Sequence, residues 1–299
     1  MLWIVLGLIC IAVICVCIIS VIENRKLIVT KYQIRSEKIP SCFDGKKIMV
    51  LADLHNVSFG NNNEKLIQRI QSEKPDCIIL AGDMIVSKEN GTYRVPANLI
   101  KELSGECNIY YVKGNHELRV AAEPEKYGSF WKDYREEIKD YVRFLDNTYV
   151  DLHDILGDNM ENSTNSIRLY GLDIAGEYYQ RFRREPMEPE YLTEKLGRPE
   201  KDNYNILVAH HPLYFESYAG WGADLVISGH LHGGMVRLPW LGGLVSPTVQ
   251  FFPKYDRGEY QLDNSTLLLS AGLGNHTFKI RVNNLPELML VELGTVDKK

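Results

Sequence analysis

Ile109-Tyr110-Tyr111-Val112-Lys113-Gly114-Asn115-His116-Glu117 is the stretch on which the fold turns. Its four leading residues read as a strand buried on both faces. The strand stops at a glycine and hands an amide, an imidazole and a carboxylate to whatever lies beyond its end. Two upstream stretches share that form. Ile48-Met49-Val50-Leu51-Ala52 ends on Asp53, and Cys77-Ile78-Ile79-Leu80-Ala81 ends on Gly82-Asp83. Leu66, Ile67 and Ile70 fit one face of a helix that stops before Pro75, and Ala97 to Leu103 supplies another. Alternating strands and helices with apolar strands predict an α/β fold with a largely parallel sheet covered on both faces. Ligands of such sheets bind beyond the carboxyl ends of the strands.

Downstream, Phe130, Tyr134, Ile138, Val142 and Leu145 recur at helical spacing. Residues 151–165 read as a polar turn, Ile167 to Leu172 as a strand, and 177–198 as a charged surface excursion. Asn205 to Ala209 is a strand ending at His210, and Leu225 to Ser228 one ending at Gly229-His230. Leu267 to Leu269 and Leu288 to Val291 are expected to complete a second set of strands.

At 299 residues the chain is long enough for one large α/β domain or two small ones. A net charge of -5 argues against a partner bound by counterion release, so no nucleic acid is expected. A nuclease is disfavoured on the same ground, since no basic, aromatic-interleaved stripe exists. Of six cysteines, Cys42, Cys77 and Cys107 lie outside the apolar N-terminus, too scattered for a disulfide framework or thiolate zinc site.

Leu2 to Ile22 is uninterrupted in its apolar character and about 20 residues long, enough to cross a bilayer as a helix. It lacks the charged start and small-residue cleavage site of a signal peptide. The expected organisation is a single-span anchor over 1–23, a basic lead-in strand over 24–45, and the main domain over 46–299. Arg25, Lys26, Lys31, Arg35 and Lys38 follow the span, which places that domain on the cytoplasmic side of the cell membrane.

The strand ends together offer Asp53, His55, Asp83, Asn115, His116, His210, His230 and His232. Five of the chain's eight histidines fall there, too many to be unrelated loop residues. Imidazole with carboxylate and amide oxygen, and no thiolate, suits borderline divalent ions such as Mn, Fe, Zn or Co. There are too many ligands for one ion. Two ions sharing an aspartate form the clamp used for in-line displacement at phosphorus, and they lower the pKa of bound water.

The ordered set Asp53-x-His55, Gly82-Asp83, Gly114-Asn115-His116-Glu117, His210 and Gly229-His230-x-His232 resembles the calcineurin-like metallophosphoesterases. His210-His211-Pro212, the Arg237-Leu238-Pro239 after the last motif, and Arg281 to Glu287 are similar to bacterial membrane-associated members of the YkuE type. Relatives in that broad branch include a lipid A precursor pyrophosphatase. The resemblance implies a two-sheet mixed β-sandwich flanked by helices, with a dinuclear centre at the adjoining sheet edges. It implies that Asp53, His55 and His232 hold one ion, that Asn115, His210 and His230 hold the other, and that Asp83 bridges them. His116 would stabilise phosphate oxygens or protonate the leaving alkoxide. Glu117, where the family most often has aspartate, would orient His116. Met235 stands where a glutamine is usual.

The activity implied is hydrolysis of a phosphodiester or pyrophosphate bond by metal-activated water, with manganese the first expectation for the ions. The span suggests a lipid or lipid-linked substrate; a phosphoprotein or nucleotide phosphatase and a non-catalytic membrane scaffold are the alternatives. Leu238, Trp240, Leu241, Leu244, Val245, Phe251 and Phe252 form an apolar run that serves either as a lip toward lipid or as packing at the sheet edge. Arg181, Arg183 and Arg184 either grip a second phosphate or form a solvated surface run.

Overall fold

The computed structural model describes residues 2–155, 166–180, 185–238, 240–244, 251–275 and 280–296. Its strands, in chain order, are β1 (Ile28–Ser36), β2 (Lys47–Leu51), β3 (Cys77–Ala81), β4 (Asn108–Val112) and β5 (Arg143–Phe144). There follow β6 (Thr148–Asp151), β7 (Ile167–Leu172), β8 (Tyr204–Ala209), β9 (Leu225–Ser228) and β10 (Arg237–Leu238). The last are β11 (Gly242–Gly243), β12 (Gly258–Leu262), β13 (Ser265–Leu269) and β14 (Glu287–Thr295). The helices are α1 (Leu2–Glu23), α2 (Glu64–Glu73), α3 (Arg94–Leu103), α4 (Asn115–Ala122), α5 (Pro124–Tyr127), α6 (Phe130–Ile138), α7 (Pro189–Leu196) and α8 (Phe215–Trp221).

Two six-stranded sheets carry the fold. One runs β1-β14-β2-β3-β4-β5, the other β12-β13-β9-β8-β7-β6. β2 to β5 pair in parallel, as do β7, β8, β9 and β13. Antiparallel pairing enters at β14 on β2, β12 on β13 and β6 on β7.

Alternation along each strand builds three cores. Ile48, Val50, Ile79, Tyr110 and Val112 of the first sheet meet Leu169, Ile206, Val208, Ile227 and Leu268 of the second. Met49, Leu51, Ile78, Leu80 and Tyr111 point the other way, onto the apolar faces of α2, α3 and α6. Leu207, Val226, Leu267 and Leu269 bury against α7 and α8. The result is a helix–sheet–sheet–helix sandwich, the mixed two-sheet architecture expected.

Several local expectations change. β14 does not join the second sheet; it inserts between β1 and β2 of the first, antiparallel to β2. β1 pairs with β14 along its whole length, so the lead-in is an edge strand of that sheet. The helix begun at Phe130 ends at Ile138, and Leu145 instead sends its N–H to Tyr111 O at the sheet edge. The excursion over 177–198 contains α7, whose Leu192 and Leu196 are buried. The polar turn falls mostly outside the described residues, as do Arg181, Arg183, Arg184 and Val245.

α1 is long and apolar enough to cross a membrane. Its described side chains are exposed as far as Ser20, which is buried against the domain.

Candidate metal centre

Every ligand candidate sits just past a strand of one sheet or the other. β2 delivers Asp53 and His55, β3 Asp83, β4 Asn115 and His116, β8 His210, and β9 His230 and His232. All eight residues are buried or nearly so. The backbone is bent to put them there. Asp53, His55, Asp83, His230 and His232 all have left-handed φ, between 48° and 73°. Non-glycine residues pay about 1–2 kcal/mol each for that conformation, and such strain concentrates at functional sites.

The glycines beside them act partly through space. Gly82 has φ 87° and makes a turn. Gly114 has ordinary φ, but a Cβ there would strike Asp83 Oδ1, as one on Gly229 would strike Asp53 Oδ2. Close approach of the carboxylates, rather than turn geometry, requires glycine at these two positions.

Three groups of donor atoms converge: Asp53, His55 and His232; His55, Asp83 and His116; Asp83, His210 and His230. Asp53 Oδ1 faces His55, His210 and His232 Nε2 at 3.7, 3.6 and 3.5 Å. Asp83 Oδ2 faces His210 Nε2 at 3.1 Å and His55 and His116 Nε2 at 3.8 and 3.9 Å. Most of these separations are long for hydrogen bonds. They suit ligands ranged around a cation that binds each at about 2.0–2.2 Å.

The tautomers agree. His210 Nδ1 lies 2.7 Å from Ala81 O and His232 Nδ1 2.9 Å from Gly274 O. A carbonyl only accepts, so both rings donate from Nδ1, and in the neutral rings Nε2 presents its lone pair to the cluster. His55 and His232 Nε2 face each other at 3.3 Å. Asn115 Oδ1 is buried without a hydrogen-bond partner. A divalent pair answers each of these features, so the residues present fit it.

His116 is held differently. Its Nδ1 accepts from the Ser87 backbone N–H at 2.8 Å, so the neutral ring carries its proton on Nε2, toward Asp83. A ring in that tautomer is a donor at the cluster.

Glu117, which the motif implies orients His116, has its carboxylate engaged by backbone N–H groups and by Tyr111. Oε1 accepts from Met84 N, Ile85 N and Tyr111 OH at 2.8, 3.2 and 2.9 Å; Oε2 accepts from Asp83 N and Gly114 N at 2.9 and 3.0 Å. Its carboxylate is saturated by the loop that carries Asp83 and by the start of α4. The bond to Gly114 N is half of a capping box. Asp83 Oδ1 in turn accepts from His116 N at 2.8 Å, which leaves Oδ2 for the cluster.

Charge is divided unevenly. Burial opposes a charged His210, yet Asp83 and Asp53 push it up to about 10. Burial likewise opposes a charged Asp83, but His210, His116 and His55 hold it well below the usual carboxylate range. Burial raises Asp53 to about 7 against the pull of His210. His230 is held well below its ordinary value by burial and by the neighbouring His211 and His210.

Residues that the sequence did not mark surround the cluster. Tyr179 packs on His211 and edge-on to His230, with centroids 5.1 and 5.2 Å away, and its hydroxyl is buried without a partner. Arg281 is fully buried and donates to the carbonyls of Ala271, Gly272, Gly274 and Asn284 at 3.0–3.1 Å. Asn284 Nδ2 donates to His232 O and Gly234 O at 2.7 and 2.5 Å. Only Arg281 and Asn284 had left a signal, as part of a quoted run with no role attached. A cavity of about 620 Å³ opens on His55, with Asn56, Ser58, Lys88 and Thr92 in its wall.

Comparison with known proteins shows the family. Residues 46–234 match the family model of the calcineurin-like phosphoesterases. The metallophosphoesterase YkuE of Bacillus subtilis is 24% identical, over 91% of this chain and 87% of its own. A metallophosphoesterase of Aquifex aeolicus is 26% identical, over 92% and 94%. One from Helicobacter pylori strain J99 is 26% identical over 76% of this chain, which spans about half (54%) of that protein's length. A solved dimetal phosphatase from Danio rerio is similar over 77% of this chain and 88% of its own, with 12% identity and a TM-score of 0.41. The family match covers more than half of the chain and every motif that supplies the cluster, so the chain belongs to the calcineurin-like phosphoesterases, hydrolases of phosphoric esters.

Proposed function

We propose that this chain is a membrane-anchored, dinuclear-metal phosphohydrolase that cleaves a phosphodiester or pyrophosphate bond in a lipid or lipid-linked substrate. The observation that carries the chemistry is the convergence of Asp53, His55 and His232 beside Asp83, His210 and His230, with the Oδ1 of Asn115, just past the end of β4, buried and unpartnered. In this reading Asp53, His55 and His232 hold one ion and Asn115, His210 and His230 the other, with Asp83 shared. When bound, such a pair supplies an activated water and neutralises charge on the phosphoryl oxygens. Manganese is the metal we expect first; the oxygens of Asp53, Asp83 and Asn115 suit it, while the four imidazoles equally admit Fe, Zn or Co.

The chain's own residues do the rest. His116 presents Nε2–H as a hydrogen bond to a phosphate oxygen; to protonate the departing alkoxide as a general acid the ring first takes up a second proton on Nδ1, where the Ser87 hydroxyl is placed to accept from it. Glu117 holds the Asp83 loop against α4, and Gly274 O and Ala81 O fix the ring orientation of His232 and His210. The cavity at His55 offers the amide of Asn56 and the ammonium of Lys88 to a polar group of the substrate.

The lipid part rests on α1, an exposed apolar helix of 22 residues, about 33 Å long at 1.5 Å per residue. Arg25 and Lys26, exposed just after it, favour a domain on the cytoplasmic side. The full-length protein loaded with Mn²⁺ should hydrolyse bis(4-nitrophenyl) phosphate, and Asp83→Ala should abolish turnover; activity that survives the substitution refutes the assignment. Phospholipids and isoprenoid diphosphates set against nucleotides and phosphopeptides then decide the substrate class.

A further inference from the structure

The last turn of α1 is tied directly to the loops that carry the metal site. Ser20 Oγ accepts from Arg281 N at 3.0 Å, and Glu23 Oε2 accepts from Asn284 N at 3.1 Å. Arg281 grips Gly274 O, whose residue also fixes His232, and Asn284 grips His232 O. Arg281 and Asn284 therefore join the end of the apolar helix to a ligand loop.

The segment after His232 leaves the site toward the same place. Val236 bridges Val282, and Arg237 N donates to Val282 O at 2.9 Å, next to the residue that binds Ser20. β10 and β11 then form a short hairpin. A Cβ on Gly243 of β11 would lie 3.2 Å from Gly233 O, so the hairpin packs back on the residue after His232. Arg237 is anchored within the protein, by Asp256 at 2.8 Å and Gly233 O at 2.8 Å. What the hairpin shows to solvent is apolar. Trp240 at its tip is fully exposed, and Leu241, Phe251 and Phe252 are exposed as well. Phe252 N binds Leu244 O at 3.1 Å, which keeps the two phenylalanines on the hairpin.

We propose that this hairpin face rests in the interface of the bilayer that α1 spans, so that the metal site opens beside the membrane surface. The proposal relies on the reading of α1 as a retained span. One occupant fits because the hairpin is joined, through the backbone of Val282 and Arg281, to the end of a helix that is itself exposed and apolar. Aromatic side chains at such a level favour the headgroup boundary, with basic groups such as Arg25 and Lys26 at the phosphates. A soluble partner would have to share this patch with the hydrocarbon-facing helix next to it.

The test uses the full-length protein in phosphatidylcholine–phosphatidylglycerol nanodiscs. The wild-type minus Trp240→Phe difference spectrum isolates the emission of Trp240 from that of the other three tryptophans. With phospholipid spin-labelled near the headgroup, the Trp240 component should fall by at least half, while aqueous iodide should leave it unchanged. Quenching by iodide and not by the labelled lipid overturns the proposal, because the hairpin then faces water. Protection from both quenchers also overturns it, since protein, including a second copy of the chain, then covers the patch. A Leu241→Asp/Phe251→Asp variant should make Trp240 accessible to iodide while retaining turnover of bis(4-nitrophenyl) phosphate. Quenching reads membrane contact and turnover reads hydrolysis, so either reading can fail without the other.

Discussion

Ser87 donates its backbone N–H to Nδ1 of His116 across 2.8 Å, and its hydroxyl lies at the same distance from that nitrogen. This bond decides which ring nitrogen carries the proton, and it aims the N–H at the cluster. His116→Ala should therefore act on the leaving group and not on metal retention. On an alkyl phosphodiester, kcat should fall about 10²–10⁴-fold, the usual worth of a general acid. On bis(4-nitrophenyl) phosphate, whose phenolate leaves without a proton, the loss should be much smaller. Turnover on both substrates and bound metal, measured by elemental analysis, check this; equal losses or a missing ion contradict it.

Glu117 touches five donors and none belongs to His116. Glu117→Gln would turn an acceptor-only group into one with an N–H facing backbone N–H donors. A cost of about 1–3 kcal/mol in stability is expected for the bond lost in the interior. The Asp83 loop should loosen and metal affinity should weaken, while the pH at which His116 titrates in kcat stays put. Thermal melts and pH–rate profiles separate these outcomes. A moved acidic or basic limb with unchanged stability would restore a direct role toward His116.

How far the sequence carries depends on whether the information is local. Alternation and strand-end residues are local, so β2, β3, β4, β8 and β9 and the eight polar residues beyond them were legible, and so was the mixed two-sheet sandwich. Partner choice between strands is not local. Leu288 to Val291 is apolar and β-like wherever it pairs, and nothing in it says that β14 lies between β1 and β2. Val142 and Leu145 continue the helical spacing of α6, but the demand for a sheet edge beside Tyr111 overrides it. α7 was hidden because only Leu192 and Leu196 face inward amid charged neighbours. Ser87, Tyr179 and the Glu117 network are contacts between distant segments, which spacing cannot reveal.

Metal loading should depend on pH with a definite sign. His210 holds a proton below about 10 and Asp53 below about 7, whereas both must be deprotonated to ligate. The protein without ions binds more protons than the protein with them, so affinity rises as pH rises. Binding should release about one proton between pH 7 and 9 and more below pH 7, where Asp53 also gives one up. Titration of Mn²⁺ in two buffers of different ionisation enthalpy measures the release. Uptake of protons, or affinity independent of pH from 6 to 8, would remove both residues from the ligand set.

Arg281 has no exposure and, among the described residues, no carboxylate hydrogen-bonded to it; its guanidinium instead satisfies four carbonyls. Burial lowers its pKa to about 10, so it remains charged at neutral pH. Three of those carbonyls belong to the loop from Ala271 to Gly274, and Gly274 O fixes the tautomer of His232. Arg281→Met keeps the apolar stem but strands the carbonyls, at about 1–3 kcal/mol for each one left unpaired. Water entry and loop movement will recover part of that cost. The remaining loss should appear at two places: a lower melting temperature, and weaker binding of the ion held by Asp53, His55 and His232. Arg281→Lys, which retains charge but reaches fewer carbonyls, should fall between Met and the wild type in both measurements. If metal affinity is unchanged while the melting temperature falls, Arg281 serves the fold alone and the His232 ring is fixed by other contacts.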